Sequence, residues 1–167
     1  MFFSKPNPIP PKPGQESVWD YPRPACLEDT NKKIKVICHG IVLAETERAK
    51  RVLETSHPPS YYIPPEDIKL EYLIETSERS FCEWKGWSRY YDVSIGDKYL
   101  RHAAWGYFDP SPNFIGITKY LSFYASLMDA CYVNDELVKP QSGDFYGGWI
   151  TADIVGPFKG EPGTKWW

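Results

Sequence analysis

Thirteen residues, FCEWKGWSRYYDV (81–93), hold most of the groups in this chain that can do chemistry. Cys82 is a nucleophile if a base reaches it and an inert packing thiol if none does. Lys85 stands before Gly86, at the end of an expected strand. There it either holds an anion as a point charge or faces solvent. Trp84, Tyr90 and Tyr91 bring flat faces with polar edges. His39, His57 and His102 are the only imidazoles. His57 precedes Pro58-Pro59, so its backbone is extended and its ring is held in place, as an acid–base group, a ligand or a loop cap. Cys82, His57 and Lys85 are therefore the candidate catalytic residues. Trp84, Lys85, Tyr90, Tyr91, Arg101, Trp105, His57 and Tyr62 are the candidate ligand-binding residues. No metal-ligating set stands out.

A hairpin must position most of these groups. WSRYYDVSI and KYLRHAAWGY flank Gly96-Asp97, and glycine at the first loop position is the type II′ signature. A two-residue loop pairs Ile95 with Lys98. The register then sets Asp92 against Arg101, Tyr90 against Ala103 and Ser88 against Trp105. On the other face Val93 meets Leu100, Tyr91 meets His102 and Arg89 meets Ala104. Trp87, Tyr91, Val93, Ile95 and Leu100 make the second face the core face. The first face combines a charge pair, rings, a serine and a small alanine, the make-up of a pocket wall. The competing reading is plain packing with a surface ion pair. A one-residue slip would exchange the two faces, and Tyr91 and Trp105 share a cavity only if a bulge or sharp bend intervenes.

The other elements are predicted from pattern. KIKVICHGIVL reads as a hairpin turning at His39-Gly40. Thr46 reads as the N-cap of a two-turn helix over 47–54, with Glu47 and Arg51 paired outside. Residues 61–63 are extended between prolines, and 68–75 read as a strand. A helix is expected from Ser111 to Ala125, on the spacing of Phe114, Ile117, Leu121 and Tyr124. Residues 129–133 and 137–139 form a hairpin around Asn134-Asp135. The expected fold class is α+β, mainly antiparallel β, with one or two short helices. Residues 1–31 form a proline-rich arm, 32–140 a β-rich core and 141–167 a glycine- and ring-rich wrapping segment of a single domain.

Bulk properties narrow the function. The chain has 167 residues, enough for one core, and 16% of them are aromatic. A net charge of −3 without a basic stripe argues against nucleic acid. No apolar run is long enough to span a bilayer, and the start, MFFSKPNPIPPKPG, lacks an apolar signal region. The expected location is the cytoplasm. The four cysteines form no C-x-x-C pair, and Asp144 and Asp153 are not spaced as a metal-binding pair. The phosphate-loop, dinucleotide, zinc-protease and serine-hydrolase motifs are all missing. No cofactor is expected.

RVLETSHPPSYYIPPEDI (51–68), FCEWKGWSRYYDV (81–93), HAAWGYFDPSP (102–112) and FYGGWITADIVGPFKGEPGT (145–164) resemble the bacterial family called domain of unknown function 427. C-x-x-K-G-x-x-x-Y-Y followed by A-A-W-x-Y-x-D-P is the most specific part. The resemblance implies a β-tent or Mss4-like fold, with sheets splayed around a cleft, and it implies no activity. The nucleotidyltransferase label sometimes attached to the family needs a paired acidic motif that this chain lacks. Some β-tent proteins hold small ligands in a cage of Trp rings, and Trp84, Lys85, Tyr91 and Trp105 fit that pattern by analogy. The leading expectation is a small-molecule binding module, a monomer or homodimer. Its cleft would be ring-walled, with Lys85 and Arg101 favouring a polar or anionic ligand. The rivals are an enzyme using Cys82 or His57 with Lys85, and a protein–protein adaptor.

Overall fold

The structure, a computed structural model, describes residues 6–143 and 145–167. The first residues of the arm and Asp144 lie outside the described residues. Strands β1 (Glu16–Ser17), β2 (Cys26–Asp29), β3 (Ile34–Cys38), β4 (Ile41–Thr46), β5 (Lys50–Leu53) and β6 (Ser60–Tyr62) come first. Three long or edge strands follow, β7 (Leu73–Cys82), β8 (Gly86–Ile95) and β9 (Lys98–Tyr107), and then β10 (Leu121–Phe123). The chain ends with β11 (Ala130–Val133), β12 (Glu136–Leu137), β13 (Lys139–Pro140), β14 (Trp149–Ile150) and β15 (Ile154–Val155).

The fold is mainly antiparallel β. One sheet runs β10-β9-β8-β7, a second β12-β11-β3-β4 and a third β2-β5-β6. Ile63 and Leu121 exchange backbone hydrogen bonds of 2.8 and 3.0 Å. They join the first sheet to the third in the order β2-β5-β6-β10-β9-β8-β7. The arm and tail also meet. Glu16 and Ser17 pair in parallel with Ile154 and Val155, and the Ile9 N–H donates to the Gly156 carbonyl at 2.9 Å. Trp149 is fully buried, stacks on Tyr61 at 5.2 Å and donates its indole N–H to the Phe123 carbonyl. That ring closes the main core of Ile34, Val36, Leu43, Val93 and Phe123. Among the described residues, no helix is long and apolar enough to cross a membrane.

The hairpins at His39-Gly40, Gly96-Asp97 and Asn134-Asp135 form as expected. The helices do not. Every described helical segment is a short 3₁₀ turn. Residues 50–53 form β5, held between β2 and β6. Thr46 accepts from the Arg48 N–H and donates to Asp67, so its hydroxyl makes a two-residue turn instead of a helix cap. Arg51 is not paired outside with Glu47. Its side chain is 4% exposed and binds Glu16 and Glu28, which fastens the arm to β5 and β2. The helix expected over 111–125 stops at Ile117 as a kinked 3₁₀ turn, with Phe114 in a non-helical conformation. Lys119 turns left-handed at φ 68°, and Leu121–Phe123 pair with β9. Burial of Phe123, which lies off the helical face, decides for the strand. Residues 70–72 form another 3₁₀ turn, so β7 starts at Leu73 and runs through the polar TSERS to Cys82.

The β8–β9 register begins as expected, with Ile95 opposite Lys98 and Val93 opposite Leu100. It then slips by two residues. Tyr91 faces Ala104, Tyr90 faces Trp105 and Ser88 faces Tyr107. Asp92 thus stands against Arg101, His102 and Ala103, with His102 at φ 50°. Its carboxylate accepts the His102 N–H at 2.9 Å and the Tyr99 hydroxyl. The expected Asp92–Arg101 pair is not made, and Arg101 is exposed. A slip of two preserves the faces, so Tyr91 stays in the main core. Trp87 is the exception on that face. It is 62% exposed, beyond the end of the core, with Phe81 edge-on at 5.2 Å.

Asp92→Ala leaves the His102 N–H and the Tyr99 hydroxyl without their acceptor. The expected cost is about 1–3 kcal/mol in urea unfolding. A variant within about 0.5 kcal/mol of wild type would remove the carboxylate from the account of the bulge.

Candidate functional site

The slipped register puts Tyr90 and Trp105 side by side and brings Tyr107 in beside Ser88. All three line a cavity of about 460 Å³. Val52, Ser60 and Tyr62 reach it from β5 and β6, and Ser80 and Cys82 from β7. Strands from β5 across to β7, at the far edge of the joined sheet, share one cavity, so that sheet is concave around it. The turn at 83–85 contributes Trp84 and Lys85. Ser111 pins this turn, its hydroxyl donating to the Trp84 carbonyl and its N–H to the Lys85 carbonyl. Gly86, at φ 102°, lets the chain re-enter β8. Gln141, Tyr146, Gly147 and Lys159 cover the other side from the tail.

The rings are fixed by specific contacts. The Trp105 indole N–H donates to the Tyr62 hydroxyl at 3.1 Å, and its ring lies 4.5 Å from that of Tyr124. A Cβ on Gly147 would come within 2.2 Å of the Trp105 ring, so only glycine lets the tail lie this close. The Tyr90 hydroxyl hydrogen-bonds to Ser80, which in turn bonds Ser88. Burial raises the pKa values of Tyr62, Tyr107 and Tyr124 above the ordinary phenol value, so these phenols stay neutral.

Lys85 and Lys159 both line the cavity, and Lys85 is the one set among its rings. Its Nζ lies 5.6 Å from the centre of the Tyr107 ring. Burial disfavours the charge, but Tyr62, the neighbouring Cys82 and the Glu54 carboxylate outweigh it, and the pKa ends above the ordinary lysine value. His57 takes the opposite course. Burial, then Lys159, Arg23 and Lys85, lower its pKa to about 3. Gln141 donates one amide hydrogen to the Lys159 carbonyl at 2.7 Å and the other to His57 Nδ1 at 3.2 Å. Nε2 therefore carries the hydrogen, and it faces Glu54 at 3.7 Å. Nδ1 is thus taken by Gln141, and Nε2, which carries the hydrogen, has no lone pair to serve Cys82 as a base. Arg23 also approaches Glu54, at 3.8 Å.

The cavity brings together Trp84, Lys85, Tyr90, Trp105, His57, Tyr62 and Cys82 from the expected set. Tyr91 and Arg101 do not line it. Tyr91 lies on the opposite face, its hydroxyl donating to Glu75, and Arg101 points out at the bulge. Sequence reasoning missed Tyr107, Tyr124, Glu54, Gln141, Tyr146 and Lys159. The even spacing of Trp105 and Tyr107 was the available signal for Tyr107. The tail residues arrive by long-range folding and leave no local mark. Among the described residues, no three His, Cys, Asp or Glu side chains gather as a metal site.

His57 gives the protein a pH dependence of known sign. An unfolded histidine takes up a proton near pH 6.5, whereas His57 stays neutral to about 3. As the pH falls below 6.5 the unfolded chain is favoured by roughly 1.4 kcal/mol per unit. The lowered carboxylates of Asp67, Asp129 and Asp153 weaken only below about pH 4. From pH 7 to 5, wild type should lose about 2 kcal/mol more unfolding free energy than His57→Gln does. Equal losses in denaturant titrations would contradict the buried neutral imidazole.

Comparison with known proteins places this site within a family. Residues 26–134 match the family model described as domain of unknown function (DUF427). The match covers β2 to the β11 turn, and so includes every sheet wall of the cavity but none of the tail that covers it. No curated protein matches the chain. With well over half its length inside that model, the chain belongs to the DUF427 family.

Proposed function

We propose that this protein is a binding module for a small polar or anionic molecule. One observation carries the reading. A ring-walled cavity of about 460 Å³, within the usual size of ligand sites, holds a charged lysine that forms no ion pair among the described residues. Trp84, Tyr90 and Trp105 provide flat apolar walls, and the neutral phenols provide hydrogen bonds. The architecture is read as β-tent or Mss4-like, which the concave joined sheet supports. A location in the cytoplasm belongs to the same reading.

An enzyme is the second reading, because Cys82 lines the same cavity next to Lys85. The occupied His57 leaves it without an imidazole base. Among the described residues that line the cavity, Lys85 is the group beside the thiol that would stabilise a thiolate.

Native and denaturing mass spectra of freshly purified protein test the first reading. The expected result is an additional non-covalent mass that denaturation removes and that Trp105→Ala lacks. A bare chain in the native spectrum of wild type counts against it. Alkylation of Cys82 against pH tests the second. Reactivity rising with a midpoint well below the ~8.5 of a free thiol favours the enzyme, and an inert thiol in the folded protein sinks it.

A further inference from the structure

A cage of Trp and Tyr rings normally suits a cation, because ring faces are negative. Here the protein's own ammonium takes that seat. Lys85 Nζ lies over Tyr107 and beside Cys82. A second cation brought into the cavity would meet it as a like charge. Two other charges that line the cavity have neighbours of their own. Glu54 faces Arg23 and His57 Nε2. Lys159 donates to the Trp167 carbonyl and lies over Tyr146. Lys85 is a desolvated charge with no carboxylate at ion-pair distance among the described residues, since Glu54 acts on it only from further off, and such a charge is costly unless something pairs with it.

The donor set also limits the anion. No arginine lines the cavity among the described residues, so the bidentate fork that suits phosphate is missing. Nor, among the described residues, does an acidic cluster offer a divalent cation to a polyphosphate. One ammonium with neutral phenols around it matches a single negative charge. The walls beside it are flat and apolar.

We infer that the molecule held in the cavity is a carboxylate on a flat ring body, its head on Lys85 Nζ and its body against Trp84, Tyr90 and Trp105. The inference rests on the binding-module reading and specifies the ligand class for the same cavity. The phenol neighbours then donate to the second carboxylate oxygen, and Phe81 and Phe145, both exposed at the rim, flank the entrance.

Calorimetric titration with four naphthalene probes tests it at pH 7. The probes are naphthoate, its neutral amide, naphthyl phosphate and a naphthyl-trimethylammonium. Naphthoate should saturate one site at least tenfold more tightly than the amide. The phosphate should bind no better than naphthoate, and the ammonium should not bind. Lys85→Met should bring naphthoate down to the amide's affinity. If that variant does not fold, the acid–amide comparison on wild type decides alone. Equal binding of acid and amide, tighter binding of the phosphate, or any binding of the ammonium overturns the carboxylate assignment and leaves the binding module standing. If no probe binds while the native spectrum shows a guest, the ring-acid class is overturned. If no probe binds and the native chain is bare, both readings fall.

Discussion

The two-residue slip at Asp92 is the constraint on which the site depends. Without it Trp105 would face Ser88 and Tyr107 would fall opposite Gly86, at the very end of β8. With it, Trp105 meets Tyr90 and Tyr107 meets Ser88, and three rings converge on one side of the sheet. The slip needs an acceptor where β9 leaves the ladder, and Asp92 supplies it to the His102 N–H and the Tyr99 hydroxyl. It also needs a left-handed residue, and His102 takes that conformation. Local twist rises at such a bulge, which helps to curl the joined sheet around its cavity.

Inside that curl, burial acts on each ionisable group according to its neighbours. The phenols remain neutral because burial outweighs their neighbours, Lys85 beside Tyr62 included. His57 remains neutral because burial and three surrounding cations all oppose its proton. Lys85 keeps its proton because Tyr62, Cys82 and Glu54 outweigh burial. The result is a buried positive charge, Lys85, set beside neutral phenols and ring faces. Water is a poor match for those walls, and an anion with an apolar body matches both parts.

The sequence shows the hairpins clearly, because Gly96-Asp97, His39-Gly40 and Asn134-Asp135 are local signals between alternating runs. It also places Trp84, Lys85, Tyr90 and Trp105 together, because side-chain parity survives a slip of two. Arg101 is misplaced for the opposite reason, since a pairwise register cannot anticipate an extra pair of residues. The helix expected at 47–54 fails because β2 and β6 recruit Lys50–Leu53 from both sides, and local helical spacing is weaker than that. The 76–82 half of β7 is hidden by its polarity, as it packs little of its surface. Gln141, Tyr146 and Lys159 come from a tail whose route is decided by Trp149 and by the close approach of Gly147 to Trp105.

The central claim is that Lys85 anchors an anion beside Trp105. The most direct measurement follows the Lys85 side-chain and Trp105 indole NMR signals during titration with naphthoate. Both should shift together and saturate at one equivalent, with the Lys85 signals already displaced by the Tyr107 ring before any naphthoate is added. Shifts confined to exposed lysines, with Lys85 and Trp105 unmoved, would contradict the account.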